Sequence, residues 1–224
     1  MNTPLDEVRG KACWFVERGW KYIVFAAVLV FLLDNSLYLE NLGKRRSAKA
    51  DEEFDAGQYA RSFWEKLNKT VDRAADAKQF LEFFHLDPRT TIEKYSTKTK
   101  HVSSTHFFLL RGEGKIVSVS QEGVLVCLAG TKTDPEILIA TDLIFGNAVR
   151  DASGLVDSDH FPDSMNYNKV SEEIDKIVMN EVIPPFRNNI KEGLTVHFVG
   201  ASEIFESDPQ ISPLRVVPIK LEAK

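Results

Sequence analysis

Residues 106–120, His-Phe-Phe-Leu-Leu-Arg-Gly-Glu-Gly-Lys-Ile-Val-Ser-Val-Ser, lie where the period of the chain changes, and their reading decides the fold. Upstream of Ser103 apolar residues recur every three or four positions. From there on they come in short runs: His106–Leu110, Gly114–Ser120, Val124–Leu128 and Ile137–Phe145. Gly112, Gly114, Gly123, Gly130 and Thr133-Asp-Pro135 separate these runs. Short β-rich runs punctuated by glycine and proline predict antiparallel strands.

Working outward, a loop rich in Asp, Ser and Gly (Asp151–Asp163) leads to a helical stripe of Val170, Ile174, Ile177, Val178 and Val182, which Pro184-Pro185 ends or kinks. Gly193 opens a strand at Leu194–Val199, and Pro213–Leu221 supplies another. Several strands, one helix, then two strands is the order of a small antiparallel Greek-key barrel resembling an OB-fold, with its helix between strands 3 and 4. A mixed sandwich of the same order is the alternative. On the other side, Tyr59, Phe63, Leu67 and Val71 recur at four-residue spacing, and Trp64 widens the stripe. A second helical piece follows over Asp72–Phe84, stopped by Asp87-Pro88, and a short one over Thr90–Tyr95. The expected class is α+β.

The N-terminal part is different. Tyr22-Ile-Val-Phe-Ala-Ala-Val-Leu-Val-Phe-Leu-Leu33 is the most apolar run in the chain. It is shorter than the ~20 residues of a spanning helix, yet Trp20, Tyr22 and Tyr38 border it as interfacial aromatics do. Asn35–Leu42 is amphipathic enough to carry the helix outward. The small-residue site Ala48-Lys49-Ala50 lies too far on for signal cleavage, and no cysteine follows the run for lipid attachment. An uncleaved signal-anchor is expected. The layout is then an N-terminal segment (1–21), a membrane anchor (22–42), a linker (43–55) and an α+β domain (56–224). Four Lys/Arg flank the run on each side, Arg9, Lys11, Arg18 and Lys21 before it and Lys44, Arg45, Arg46 and Lys49 after it. The positive-inside rule therefore gives no orientation.

Charge divides unevenly. Residues 1–50 hold eight Lys/Arg and five Asp/Glu, and residues 51–224 hold 20 and 28, so the domain carries a net −8. That charge repels a phosphate backbone and argues against a nucleic-acid partner. Cys13 and Cys127 imply neither a disulfide framework nor a metal site, and no cofactor is expected.

Candidate chemistry is sparse. His85, His101, His106, His160 and His197 show no zinc-ligand spacing. His160 stands among Asp157, Asp159 and Asp163, an arrangement that a solvated acidic loop also produces. Arg111-Gly-Glu-Gly-Lys115 lacks the spacing of a phosphate loop and reads as a strand-entry turn. No serine, histidine and aspartate pattern singles out a catalytic triad, so no catalytic residue is assigned. The ligand-binding candidates are Gly146, Arg150 and Asp151. An arginine beyond an apolar strand that ends in glycine can hold a carboxylate or phosphate through two parallel bonds. It can equally pair with an acidic residue of the fold, which is the expected role here.

Several segments together resemble one family. These are Phe54-Asp-Ala-Gly-Gln-Tyr-Ala-Arg-Ser-Phe-Trp64, Gly112-Glu-Gly-Lys-Ile-Val117, Gly146-Asn-Ala-Val-Arg-Asp151, Phe161 with Asn166-Tyr-Asn168, Val196-His-Phe-Val-Gly-Ala201 and Pro213-Leu-Arg-Val-Val-Pro-Ile-Lys220. In order over residues 20–221, they resemble the bacterial "domain of unknown function 2291" family of predicted periplasmic lipoproteins. The resemblance implies an extracytoplasmic domain with its N-terminus inside, and a link to sugar ABC-transporter components. It assigns no enzymatic activity. Many relatives carry a lipid-modified cysteine after the apolar run, where this chain has Asp34-Asn-Ser36, so the helix itself is expected to hold it in the inner membrane as a single pass. Two functions follow as expectations. One is a non-catalytic accessory module linked to sugar transport. The other is an extracytoplasmic hydrolase using Arg150, Asp151 and His160.

Overall fold

Asp55, Asp76 and Asp87 each accept a backbone N–H three residues on, and each starts a helix. In the computed structural model these are α1 (Ala56–Thr70), α2 (Ala77–Leu86) and α3 (Pro88–Tyr95). A two-residue strand β1 (Ala75–Asp76) precedes α2. The remaining strands are β2 (Thr105–Val119), β3 (Gly123–Leu128), β4 (Ile137–Ala140), β5 (Thr195–Phe205) and β6 (Leu214–Ala223). Between β4 and β5 lie α4 (Ala148–Ser153), α5 (Ser164–Ile177), a π-helical turn (Val178–Val182) and α6 (Ile183–Arg187). The structure describes Tyr22, Phe25, Ala27–Leu29 and residues 54–97, 104–130, 136–161, 163–206 and 211–224.

The strands run in the order β1-β2-β3-β4-β6-β5, and β5 pairs back onto β2 along Thr105–Lys115. Five strands therefore close a barrel, with β1 parallel to β2 on its flank. Counted from β2, the helices fall between the third and fourth barrel strands. One pair, β4 with β6, is parallel; the expectation of an all-antiparallel barrel is corrected there.

Two further corrections concern boundaries. The runs His106–Leu110 and Gly114–Ser120 are one strand, not two. Its first part pairs with β5 and, at Leu110 and Arg111, with β1; its last part pairs with β3, and the β5 and β3 pairings overlap at Gly114 and Lys115. The glycines that read as turn punctuation let the strand pack closely as it passes between neighbours. A Cβ at Gly112 would sit 2.7 Å from the Phe198 ring, and one at Gly114 2.5 Å from the Cys127 carbonyl oxygen. The run Ile137–Phe145 keeps strand pairing only to Ala140. Beyond it Ile144 turns into the core while Leu143 and Phe145 face solvent.

Adjacent strand residues serve two cores. Phe108, Leu110, Val196, Phe198 and Val216 fill one with Phe80, Leu81 and Phe84 of α2. Phe107, Ala201 and Val217 fill the other with Phe63 and Leu67 of α1 and Val170 and Ile174 of α5. Both faces of β2, β5 and β6 are thus covered in part, which is why their runs are nearly continuous in apolar residues.

The chain divides into two units, residues 1–53 and 54–224. In the first, Tyr22, Phe25 and Ala27–Leu29 are helical and exposed. Among the described residues no helix is long and apolar enough to cross a membrane. Apart from those five positions, the expected anchor (22–42) lies outside the described residues, as do the N-terminal segment and all but the last two residues of the linker.

Candidate functional site

Arg150 stands on α4, a six-residue helix, and not in a loop at a strand end. The segment is too short to show a helical period, so Asp151–Asp163 reads as loop from sequence although its first residues complete this helix. Arg150 is 3% exposed. Its Nε donates to Asp151 Oδ1 at 2.7 Å and its Nη2 to Asp151 Oδ2 at 3.1 Å. Nη1 donates twice, to the Tyr167 carbonyl oxygen at 3.1 Å and to Ser171 Oγ at 2.7 Å. The guanidinium carbon lies 3.6 Å from the centre of the Tyr167 ring, within cation–π range. Tyr167 completes the loop by donating its hydroxyl to Asp151 Oδ1 at 3.2 Å. Four of the five N–H donors of Arg150 are therefore used inside the fold. Burial raises the pKa of Tyr167, partly opposed by the positive charge of Arg150.

Asp175, one turn beyond Ser171 on α5, accepts the backbone N–H of Gly146. Gly146 has φ +117, a conformation side-chain-bearing residues rarely adopt, and this turns the chain into α4. Burial pushes the Asp175 carboxyl up to about 7, against the pull of the Gly146 N–H, Arg150 and Arg215. Burial also raises Glu203 on β5, with Arg215 opposing and Asp151 reinforcing the shift. Arg215, exposed on β6, donates from Nη2 to the Leu143 carbonyl oxygen at 3.4 Å.

Of the residues singled out in sequence, Gly146, Arg150 and Asp151 meet in this one cluster. His160 lies apart from these bonds, exposed on a 3-10 turn (Ser158–His160). The aspartates around it have capping roles: Asp157 accepts the N–H of Asp159, and Asp163 accepts that of Asn166 to start α5. Among the described residues no group of His, Cys, Asp and Glu could hold a metal ion. Sequence reading missed Tyr167, Ser171, Asp175, Glu203 and Arg215. A signal existed for three of them: Tyr167, Ser171 and Asp175 recur every four residues beside the apolar stripe of α5.

The family model described as "Predicted periplasmic lipoprotein (DUF2291)" matches residues 26–222. The chain belongs to this family. As a DUF2291 member it is an extracytoplasmic, membrane-associated protein. Among solved structures, it is similar to an OB-fold protein from Thermotoga maritima, with 25% identity and a TM-score of 0.71. That match covers 77% of this DUF2291 chain and 100% of the other. No curated protein matches it.

Proposed function

We propose that this DUF2291 protein is a non-catalytic accessory module, held in the cytoplasmic membrane by its N-terminal apolar segment and presenting the OB-type barrel on the outer side. Its partner on this reading is a component of a sugar ABC transporter. The observation that carries the non-catalytic part is the use of Arg150. The most buried charge among the described residues of the domain gives four donors to Asp151, Tyr167 and Ser171, so it works as an internal clamp between α4 and α5. The exposed Tyr22, Phe25, Val28 and Leu29 support the anchoring part, since a helix apolar on its outer surface fits lipid better than water. The test is co-purification of the tagged full chain from detergent-solubilised membranes of its host. Transporter subunits are expected in the eluate, and their absence while the tagged protein is recovered intact would contradict the partner.

A further inference from the structure

Among the described residues, the second half of β6 has one strand partner where a barrel strand has two. On one side it pairs with β5 from Val217 to Ala223. On the other, β4 reaches only Leu214–Val216. Which backbone groups face the open side follows from the register. Thr195 and Lys224 exchange both of their bonds, at 3.0 and 2.9 Å, so Lys224 and every second residue before it, Glu222 and Lys220, point at β5. Leu221 and Ala223 point the other way. Among the described residues the N–H and C=O groups of these two meet no backbone partner. Both residues are half-buried.

This edge is not flush with the surface. Leu221 and Ala223 lie along a groove of about 310 Å³ whose opposite wall is Val182 of the π-helical turn with Pro185, Phe186 and Asn189. Pro218, which has no N–H to offer, comes just before the open stretch. Two donors and two acceptors at two-residue spacing are matched by an extended polypeptide and by little else.

We infer that the open edge of β6 at Leu221 and Ala223 is a docking slot for one extended peptide segment of a partner protein, which adds as a strand and places its apolar side chains against Val182, Pro185 and Phe186. The slot stands on the fold alone and holds whether or not the partner is a transporter component.

The test uses the full chain in detergent micelles, with isotopic nitrogen in leucine and alanine, against decapeptides selected from a random displayed library. Selected peptides should shift the amide signals of Leu221 and Ala223 and slow their exchange. Ala223→Pro removes an N–H that the barrel does not use, so it should weaken binding at least about tenfold. Ala223→Gly, which keeps the N–H, should bind within about twofold of the parent. If Ala223→Pro loosens the strand end, the Leu221 signal in the parent protein decides. Binders that move other amides, or a library that moves neither of these two, would overturn the inference. So would a response of the same amides to protein concentration alone, which would mean pairing between copies of this chain.

Discussion

The barrel core and the α4–α5 layer are equally buried but held in different ways. In the barrel core the contacts are nearly all apolar, as where the ring of Phe80 on α2 stands 4.9 Å from that of Phe108 on β2. In the helical layer a fully buried guanidinium is wrapped by a carboxylate, a hydroxyl, a carbonyl and an aromatic face. Apolar packing is graded, so losing atoms costs in proportion to the surface and cavity they leave. A buried charge network is closer to all-or-none, because removing one partner leaves the other charged and dry.

Substitutions separate the two modes. Phe108→Ala should have the largest effect, lowering stability by ~3–5 kcal/mol in chemical denaturation, and Phe63→Ala in the second core should lie in the same range. Arg150→Leu conserves much of the volume but abandons Asp151, so a loss of ~3 kcal/mol or more is expected. If Phe108→Ala were mild and Arg150→Leu severe, the polar layer would dominate the fold and the comparison would be reversed.

Asp175 sharpens the comparison through pH. Its folded pKa, about 7, lies above the ordinary carboxyl value of 3.8, so between these the native state holds a proton the unfolded chain has released. Stability from this group is present in acid and is lost as pH rises toward 7, with Glu203 adding in the same direction. Asp175→Asn should remove most of that slope, a gain near pH 8 of about 1–2 kcal/mol once solvent screening of a half-exposed group is allowed for. Unfolding curves across this pH range check it; a slope retained in the variant would place the titration elsewhere. The smallest effect is expected at Arg61, exposed and paired with Glu181 at 3.0 Å. Arg61→Ala should change stability by no more than about 0.5 kcal/mol, and an effect matching that of Phe63→Ala would mean the buried face of α1 is misassigned.

What the sequence made legible follows the same division. Short β-rich runs set off by glycine and proline expose strands, and so the order of strands and helix was readable from residue 106 onward, whereas closure into a barrel and not a mixed sandwich was left open. The same glycines misled at Gly112 and Gly114, where close packing inside one long strand looks like a turn. Tyr59, Phe63 and Leu67 announced α1 by a stripe, while α4 is too short to show one. The Arg150 cluster was half visible. Asp151 is its neighbour in sequence, but Tyr167 and Ser171 lie 17 and 21 positions on. Glu203 and Arg215 come from the paired strands β5 and β6, far along the chain from Arg150. Pairings of that range are set by topology, and no local pattern encodes them.

The central claim, that Arg150 serves the fold as a clamp on Asp151, is tested most directly by a double-mutant cycle. Arg150→Leu, Asp151→Leu and the combined variant are each unfolded in denaturant against the parent. The account predicts a coupling of at least about 1.5 kcal/mol, with the double variant more stable than Arg150→Leu alone. Additive losses, or an Arg150→Leu protein that melts within about a degree of the parent, would contradict it.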